Sequence, residues 1–507
     1  MAKRKVVDKQ VSILKFCRTS SGPDETLKKE ATVIDLVSDN EQESLFVCDS
    51  EEELPYYQEE QSTQFACPVC EVDIAHLSLD DRTVHVEACL VNPNTKKVLY
   101  RRIKTTGAVE QTKKKSDRRP RPPIPDEKIL RFENHTIAVD AFCFAPHPAI
   151  SVYLLTHFHS DHYGGLTKNW DHGSVIIVTP ITRNLLVYKF GVNPDLLLSV
   201  DYNQTIEVPH TDLKITCLDA NHCPGSGMFV IESPGLRYLH CGDCRINKPM
   251  LESLMQIGRF HKIYLDTTYL NPLYNFPKQE IVIDELCKLL KSKMETMQFS
   301  QQRVIDFFVD RKPQKFLIVI GTYLIGKERL AIKLAEMLQT KIYCNEEKKT
   351  VLSQFGWPNL DNLLDTHNPE SCQIHLVALP KLNKDFLAEQ LKTYSRHFKA
   401  AIGIRPTGWS VRYGKPVPSL DAMVAAESPE MVYAAISKHF DRFREDNKAR
   451  VLQIPYSEHS SYRELFYFAN LLEYDELVAT VSPHNQDEQL AMLREFKNYD
   501  KLCIEKF

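Results

Sequence analysis

Long apolar segments are absent from this 507-residue sequence. No run approaches the ~18 consecutive apolar residues that a membrane-spanning helix needs, so we expect no membrane partner. The N-terminal stretch MAKRKVVDKQ lacks the apolar core of a secretory signal, which predicts a protein that is not secreted. An excess of basic residues is also absent. The 63 Lys and Arg against 67 Asp and Glu give a net charge of −4, which excludes a uniformly basic protein but not a locally basic one.

Charges of the two signs are segregated along the first quarter of the chain. Residues 35–60 hold ten acids and no Lys or Arg, whereas residues 96–131 hold thirteen basic residues and four acids. Segments of this kind cannot bury a core and are typical of solvated, flexible chain. We therefore expect a disordered recruitment region over 1–66, a small module over 67–90 and a basic flexible linker over 91–127. A folded body follows from residue 128.

The body alternates short, β-rich apolar runs with helical patterns, which predicts an α/β fold. The predicted strands are 151–156, 175–179, 213–219, 228–233, 237–239, 262–266, 316–320 and 451–454. The predicted helices are 181–190, 279–291, 328–338 and 462–472. Because sheets of this class carry their chemistry at strand ends, we expect functional motifs there.

The densest polar motif is His157-Phe-His159-Ser-Asp161-His162, directly after the first of these strands. Its three imidazoles and one carboxylate are donors that suit zinc and related divalent ions. A tight loop can direct the first two histidines at one ion and the Asp-His pair at a second. The alternative, polar residues in a surface turn, does not account for so many potential ligands in one short stretch.

Further candidate ligands also lie at predicted strand ends. They are Asp140, His222, Asp243, Asp266 and His459. Each alone would more often be a cap or turn residue. Together, in the order H-x-H-x-D-H, His, Asp, Asp, His, they match one known pattern.

That pattern resembles the metallo-β-lactamase fold with a β-CASP insertion and, more narrowly, the DNA cross-link repair 5′-exonucleases. The supporting stretches are LTHFHSDHYGGL, LDANHCPGS, YLDTTY, GTYLIGKE, RPTGW and IPYSEHSSY. The resemblance implies an αββα sandwich built from 128–275 and 451–507, with an α/β β-CASP domain inserted over 276–450. Residues 294–312 look like a further insertion, and 411–448 has no assigned place.

The resemblance also implies one or two divalent ions, with zinc expected and Mg²⁺ or Mn²⁺ an alternative in the second site. The ligands of the first ion would be His157, His159, His222 and Asp243. The ligands of the second would be Asp161, His162, the bridging Asp243 and His459. In catalysis Asp161 would orient the nucleophile, while Asp140 and Asp266 would orient ligands.

The substrate is expected to be DNA. Val481 stands where the DNA repair subgroup has valine and the RNA-cleaving relatives have histidine. The expected function is a metal-dependent 5′→3′ DNA exonuclease in interstrand cross-link repair. The alternatives are an RNA-processing endonuclease of the same superfamily, a non-catalytic ubiquitin- and clamp-binding scaffold, and a small-molecule hydrolase. The complete ligand set argues against the scaffold, and the β-CASP-like segment and basic linker argue against the hydrolase.

The stretch from Gly321 to Glu328 fits the G-x4-G-K part of a nucleotide-binding loop. Such a loop needs Ser or Thr next, and Glu328 stands there, so we do not expect ATP hydrolysis. A strand, a turn and a helix N-terminus can still present N–H groups to an anion. We assign Thr322 and Lys327 to phosphate contact. Candidates for a terminal 5′-phosphate are Ser457 and Ser460, with capping of helix 462–472 as the alternative.

A second metal motif lies near the N-terminus, in residues Cys67, Cys70, His85 and Cys89. Four ligands at this spacing predict a closed structural zinc site, with the metal supplying the folding energy. The stretch resembles a UBZ-type ubiquitin-binding finger, although Thr83 and Glu87 replace that type's usual Asn and Asp. Ubiquitin is therefore the expected partner, and DNA is the alternative.

Two short motifs precede the finger. Residues 31–41, ATVIDLVSDNE, resemble a SUMO-interacting motif, in which a disordered strand joins a partner's sheet edge. Residues 10–17, QVSILKFC, resemble the PCNA-binding box, with Cys17 in place of the second aromatic. Chance occurrence is the alternative for both. Basic patches at 2–5 and 113–121 suit nuclear import or phosphate contact, so we expect a nuclear protein.

Overall fold

The computed structural model describes residues 123–150, 152–170, 174–272, 274–300, 315–408, 427–440 and 448–481, together with residues 487, 491, 504 and 507. The expected recruitment region, zinc finger and short motifs lie outside the described residues, as does most of the linker. They therefore stay predictions.

A five-stranded sheet forms the first layer of the body. Its strands, in sheet order, are β1 (Ile129–Arg131), β2 (Thr136–Val139), β3 (Val152–Leu154), β4 (Val175–Val178) and β5 (Leu197–Ser199). The helices that follow β3 and β4 are α1 (Ser160–Tyr163) and α2 (Pro180–Phe190). The sequence sets both ends of α2. Thr179 caps its first turn by accepting the Thr182 N–H, and Gly191 ends it in the left-handed conformation.

A six-stranded sheet forms the second layer. Its strands, in sheet order, are β17 (Tyr474–Ala479), β10 (Phe260–Leu265), β9 (Leu236–His240), β8 (Gly227–Ser233), β7 (Lys214–Asp219) and β6 (Thr205–Glu207). The helices that pack on it are α3 (Lys248–Ile257) and α10 (Tyr462–Leu471).

The two sheets pack face to face. Side chains such as Leu154 of β3 and Phe229 of β8 meet in one buried apolar cluster between them. Leu185 of α2 covers the outer face of the first sheet, and Phe466 of α10 covers that of the second. The layers are therefore helix, sheet, sheet, helix, which confirms the αββα sandwich.

A third sheet of six parallel strands forms the inserted part. Its strands, in sheet order, are β13 (Leu364–Asp365), β12 (Ile342–Tyr343), β14 (Ile374–Ala378), β11 (Lys315–Thr322), β15 (Phe398–Pro406) and β16 (Ala449–Ile454). The remaining helices are α4 (Gln279–Ser300), α5 (Glu328–Leu338), α6 (Glu346–Ser353), α7 (Leu360–Leu363), α8 (Lys384–Thr393) and α9 (Pro429–Phe440). Helices cover both faces: α4 and α5 pack on one and α8 on the other.

The structure corrects two sequence-based boundaries and shows a helix in a segment that had none assigned. Residues 451–454 continue a strand that begins at Ala449 and pairs with β15, so they belong to the inserted sheet and not to the sandwich. Helix α4 runs to Ser300, because its 22 residues contain no Gly or Pro to end it earlier. The first residues of 294–312 are therefore helix. Helix α9 lies within 411–448, the segment that had no assigned place.

None of the described helices combines the length and the apolar character needed to cross a membrane.

Candidate metal centre

The candidate ligands lie on loops that leave the ends of strands. The histidine-rich motif follows β3, and His222 and Asp243 follow β7 and β9. His459 lies on the loop between β16 of the inserted sheet and α10 of the sandwich. The structure thus brings together side chains that are up to three hundred residues apart in sequence.

The carboxylate of Asp243 stands at the centre of the group. Its Oδ2 lies 3.2 Å from Nε2 of His162, 3.7 Å from Nε2 of His157, 3.8 Å from Nε2 of His222 and 4.0 Å from Nε2 of His459. One oxygen facing four imidazoles lies where a carboxylate can bind a metal ion together with them.

His159 completes one side of the cluster. Its Nδ1 lies 2.9 Å from Nε2 of His157 and 3.2 Å from Nε2 of His222. Asp161 lies on the other side, with Oδ2 3.6 Å from Nε2 of His162. The Asp161 side chain is 41% exposed, against 13% for Asp243, so it is the more accessible carboxylate.

Each of the five imidazoles has its outward nitrogen bound to a protein oxygen. These contacts are His157 Nδ1 to Thr156 Oγ1 at 3.0 Å, His159 Nε2 to Ile325 O at 3.2 Å, His162 Nδ1 to Asp140 Oδ2 at 2.7 Å, His222 Nδ1 to Glu458 O at 2.9 Å, and His459 Nδ1 to Asp266 Oδ2 at 2.8 Å. An outward N–H donated in this way leaves the inward nitrogen with its lone pair, which is how metal-binding histidines are held.

Asp140 and Asp266 therefore contact imidazoles, and neither faces the centre of the cluster. Asp140 also accepts hydrogen bonds from the backbone N–H and the hydroxyl of Thr156, at 2.9 and 2.8 Å. Its φ of 50° is uncommon for a residue other than glycine, a strain that the surrounding hydrogen bonds hold in place.

Two close approaches depend on glycine. A Cβ at Gly242, which precedes Asp243 and has φ +56°, would lie 2.8 Å from Cβ of Thr156. A Cβ at Gly326, with φ +112°, would lie 2.8 Å from Oε2 of Glu458. Glycine therefore lets both turns approach the centre closely.

The pKa values of the histidines in the centre shift in two opposite directions. Burial, followed by the neighbouring imidazoles, holds the pKa of His157 well below its usual value. Burial also lowers the pKa of His162, but the carboxylates of Asp243, Asp161 and Asp140 outweigh it and raise that pKa well above its usual value. A cation at the centre would take the place of the protons that these carboxylates attract.

The donor set fits a divalent metal. Three groups of ligand atoms, each within 4.8 Å of one another, can be drawn from the cluster: His157, His159, His222 with Cys223; His157, His162 with Asp243; and His222, Asp243 with His459. Imidazole nitrogens with one or two carboxylates are typical of zinc sites, and they also suit Mn²⁺.

Comparisons with known proteins show the family of the chain. Residues 359–485 match the family model described as DNA repair metallo-β-lactamase. The chain is 33% identical over 402 residues to the DNA cross-link repair protein SNM1 of Arabidopsis thaliana, an alignment that covers 78% of this chain and 74% of that protein. The chain belongs to the DNA cross-link repair family of metallo-β-lactamases.

Other members of the family are similarly related. The pso2/snm1 protein of Schizosaccharomyces pombe is 31% identical over 451 residues, covering 83% of this chain and 75% of that protein. A rat protein named 5′ exonuclease Apollo is 26% identical over 352 residues, covering 68% of this chain and 53% of that protein.

The turn that joins β11 to α5 differs from the phosphate-binding loop expected from the sequence. The N–H of Gly326 donates to Oε2 of Glu328 at 2.7 Å, and the N–H of Lys327 donates to Oε1 of Glu458 at 2.6 Å. Carboxylates of the chain itself therefore take the N–H groups that a substrate phosphate would need. Lys327 is buried, with Nζ 3.7 Å from Glu458 and 4.0 Å from the ring centre of Tyr323, and Thr322 is also buried.

The serines around His459 also differ from their expected role. The Ser460 hydroxyl is buried, donating to Cys244 O at 2.8 Å and accepting from Ile246 N–H at 3.0 Å, so it is not available to a phosphate. The Ser457 hydroxyl donates to the carbonyl of His459 and accepts its N–H. Neither serine caps α10, because Ser461 does so in a reciprocal pair with Glu464.

Val481 lies just after the end of β17, beside Thr267. Its N–H donates to Thr267 Oγ1 at 3.3 Å, and that hydroxyl donates to the carbonyl of Val481 at 3.0 Å. Thr267 follows Asp266, which holds His459. Position 481 therefore lies next to the Asp266–His459 side of the centre.

Sequence reasoning missed four contributors to the site: Thr156, Ile325, Glu458 and Cys223. Thr156 and Glu458 each precede a recognised ligand, which was the available signal. Ile325 acts through its carbonyl, so its side chain carried no signal. Cys223 follows His222, and its buried sulfur lies within the first group of ligand atoms, where burial raises the pKa of the thiol well above its usual value.

Proposed function

We propose that the chain is a metal-dependent 5′→3′ exonuclease that hydrolyses DNA phosphodiesters in interstrand cross-link repair, with zinc in at least one of its two metal sites. The observation that carries the proposal is the centre itself. Four imidazoles have their inward nitrogens within 4.0 Å of Asp243, His159 adjoins two of them, and each of the five outward nitrogens is held by a protein oxygen. Membership of the DNA cross-link repair family supports the substrate and the pathway.

The proposed ligands are the residues expected from the sequence. The first ion would be held by His157, His159, His222 and Asp243. The second would be held by Asp161, His162, Asp243 and His459. Bound there, a divalent ion supplies a water molecule of lowered pKa and stabilises charge on the phosphodiester oxygens.

The chain's own residues supply position and proton transfer. Asp161 is the accessible carboxylate at the centre, and we assign it the orientation of the attacking water and the acceptance of its proton. Asp140 and Asp266 hold His162 and His459 in the tautomer that directs Nε2 inward, at 2.7 and 2.8 Å. Such partners fix the direction of an imidazole ring as well as its tautomer.

DNA is proposed over RNA because of position 481. Valine has no imidazole to place beside the Asp266–His459 pair, whereas the resemblance gives the RNA-cleaving relatives histidine at this point. The test is hydrolysis of matched DNA and RNA strands by the purified, metal-loaded chain. Faster cleavage of RNA would overturn the proposal and support the endonuclease alternative.

We expect a strand with a 5′-phosphate to be degraded at least about tenfold faster than the same strand with a 5′-hydroxyl. The resemblance to the DNA cross-link repair 5′-exonucleases implies a substrate with a 5′-phosphate end. A charge-assisted hydrogen bond contributes about 1.5–3 kcal/mol, which corresponds to roughly tenfold or more. The measurement compares initial rates for the two ends. Equal rates for the two ends would overturn the expected 5′-phosphate preference.

The N-terminal region is proposed to recruit the nuclease in the nucleus. In this proposal residues 67–90 form a zinc finger that binds ubiquitin, and the motifs at 31–41 and 10–17 bind SUMO and PCNA. The basic segment over 91–127 is the connecting linker.

Cys67→Ala should separate recruitment from catalysis. Loss of one of four ligands removes the metal that folds the finger, so ubiquitin pull-down should be lost. Hydrolysis of short oligonucleotides should be nearly unchanged, because flexible linkers do not transmit rigid geometry. Cys48→Ala, outside the predicted finger, is the control and should keep both properties. If hydrolysis falls together with ubiquitin binding, the finger is part of the catalytic unit.

A further inference from the structure

A groove lies at the end of the inserted sheet where strands β15 and β16 begin. Helix α8 forms one wall of it, and its volume is about 660 Å³. Its lining residues are Lys384, Ala388, Leu391, Lys392, Ser395, Phe398, Lys399, Lys448 and Ala449. None of them is a carboxylate, and four are exposed lysines.

Among the described residues, the four lysines differ from many others in the body because no acidic partner is found for them. Lys189, Lys262 and Lys348 pair with glutamates at 2.6, 2.8 and 3.0 Å. In the described part of the chain, none of the four groove lysines forms an ion pair. The hydrogen bond found for their ammonium groups is the one from Nζ of Lys399 to the carbonyl of Ser395 at 3.4 Å. Unpaired like charges around a concave surface create a positive potential that attracts anions.

The groove lies at the N-terminal ends of the parallel strands of the inserted sheet, and the metal centre lies beyond their C-terminal ends. Strands β11, β14, β15 and β16 are parallel, and the loops beyond the ends of β11 and β16 carry Ile325 and His459. The groove lies where β15 and β16 begin. Strand β15 has nine residues and therefore eight rises of ~3.3 Å, so its two ends are roughly 26 Å apart.

The spacing of the charges indicates an extended anion. Lys384 and Lys392 are eight positions apart on α8, which is about 12 Å along the helix at 1.5 Å per residue. A small anion is usually held by donors that converge on one point, such as backbone N–H groups at a turn. Charges spread along a groove instead match the repeated phosphates of a nucleic-acid strand.

We propose that this lysine groove binds the sugar-phosphate backbone of the DNA strand at a distance from its reacting 5′ end. The proposal rests on the proposed nuclease function and adds a second contact to it. A DNA strand long enough to reach from the metal centre to the groove would be held at both ends of the parallel β-strands. A short oligonucleotide would contact the centre alone.

The test compares the full-length Lys392→Glu/Lys399→Glu variant with the unmodified protein on 5′-phosphorylated strands of two lengths. We expect hydrolysis of a short oligonucleotide to be unchanged and the advantage of a strand several times longer to be lost. In a salt titration of binding to the long strand, the slope of log affinity against log salt should fall by about 1.4, since one phosphate contact contributes ~0.7 on single strands. Lys291→Glu/Lys438→Glu, at two exposed lysines on α4 and α9 that lie outside the groove, is the matched control for the double charge reversal and should leave the slope unchanged.

The outcomes are distinguishable. If the unmodified protein hydrolyses neither strand, the proposed function fails whatever the groove does. If it hydrolyses both, and the double variant keeps the length advantage and the slope, the groove does not bind DNA. A double variant that keeps DNA binding but loses binding to anionic phospholipid vesicles would also overturn the proposal.

Discussion

Replacing Asp161 with alanine is expected to lower the rate of DNA hydrolysis by on the order of 10²–10⁴-fold, the usual contribution of a positioned acid or base. The carboxylate is 41% exposed and lies 3.6 Å from Nε2 of His162, so it faces both the centre and the solvent. Removing it leaves a solvent-filled space and no buried cavity. Fold and thermal stability should therefore be nearly unchanged.

The measurement is the single-turnover rate together with the metal content of the variant. Asp195→Ala, an exposed aspartate on another loop, is the control for the loss of one negative charge. If Asp161→Ala keeps more than a few per cent of the rate with normal metal content, Asp161 is not the residue that orients the attacking water.

Replacing Glu458 with alanine is expected to weaken metal binding by about tenfold, the lower end of the 10–100-fold that loss of a ligand's supporting partner costs. Glu458 acts at two points. Its carbonyl accepts from His222 at 2.9 Å, and its carboxylate accepts from the N–H of Lys327 at 2.6 Å. That second bond fixes the turn whose Ile325 carbonyl holds His159. Without the carboxylate, the turn and His159 can move together.

Competition with a chelator measures this effect without any reference to catalysis. Glu458→Gln keeps an oxygen that can accept the Lys327 N–H, so it should restore most of the affinity. Glu370→Ala, on an exposed turn, is the control for the loss of a carboxylate. If Glu458→Ala binds metal as tightly as the unmodified protein, the inserted part does not support the first metal site.

Local sequence patterns predicted the strands and helices whose apolar residues recur with the period of a strand or a helix. The runs that became β4, β7 and β8 were predicted within one residue at each end, because each is a short, mainly apolar run between turn residues. Helix α5 was predicted at both of its ends. The membership of β16 in the inserted sheet could not be predicted, because its partner β15 begins some fifty residues earlier and strand pairing is not visible in local sequence.

The residues of the candidate site likewise include some that local sequence could predict and some that it could not. Histidine and aspartate are chemically distinct enough that His157, Asp243 and His459 could be selected by type and position. Supporting groups such as the Ile325 carbonyl depend on a turn from another sheet, which no local pattern encodes. The assignment of Ser460 to phosphate failed because a hydroxyl next to a ligand looks equally available whether it faces substrate or, as here, the Cys244 carbonyl.

The most direct test of the account is the direction of hydrolysis on a single DNA strand labelled at its 3′ end. The purified chain is stripped of metal with a chelator, loaded with zinc, and incubated with the 5′-phosphorylated strand. We predict no cleavage without metal and, with metal, labelled products that shorten one nucleotide at a time from the 5′ end. Labelled products that arise at once from internal cuts, or equal cleavage in the presence of chelator, would contradict a metal-dependent 5′→3′ exonuclease.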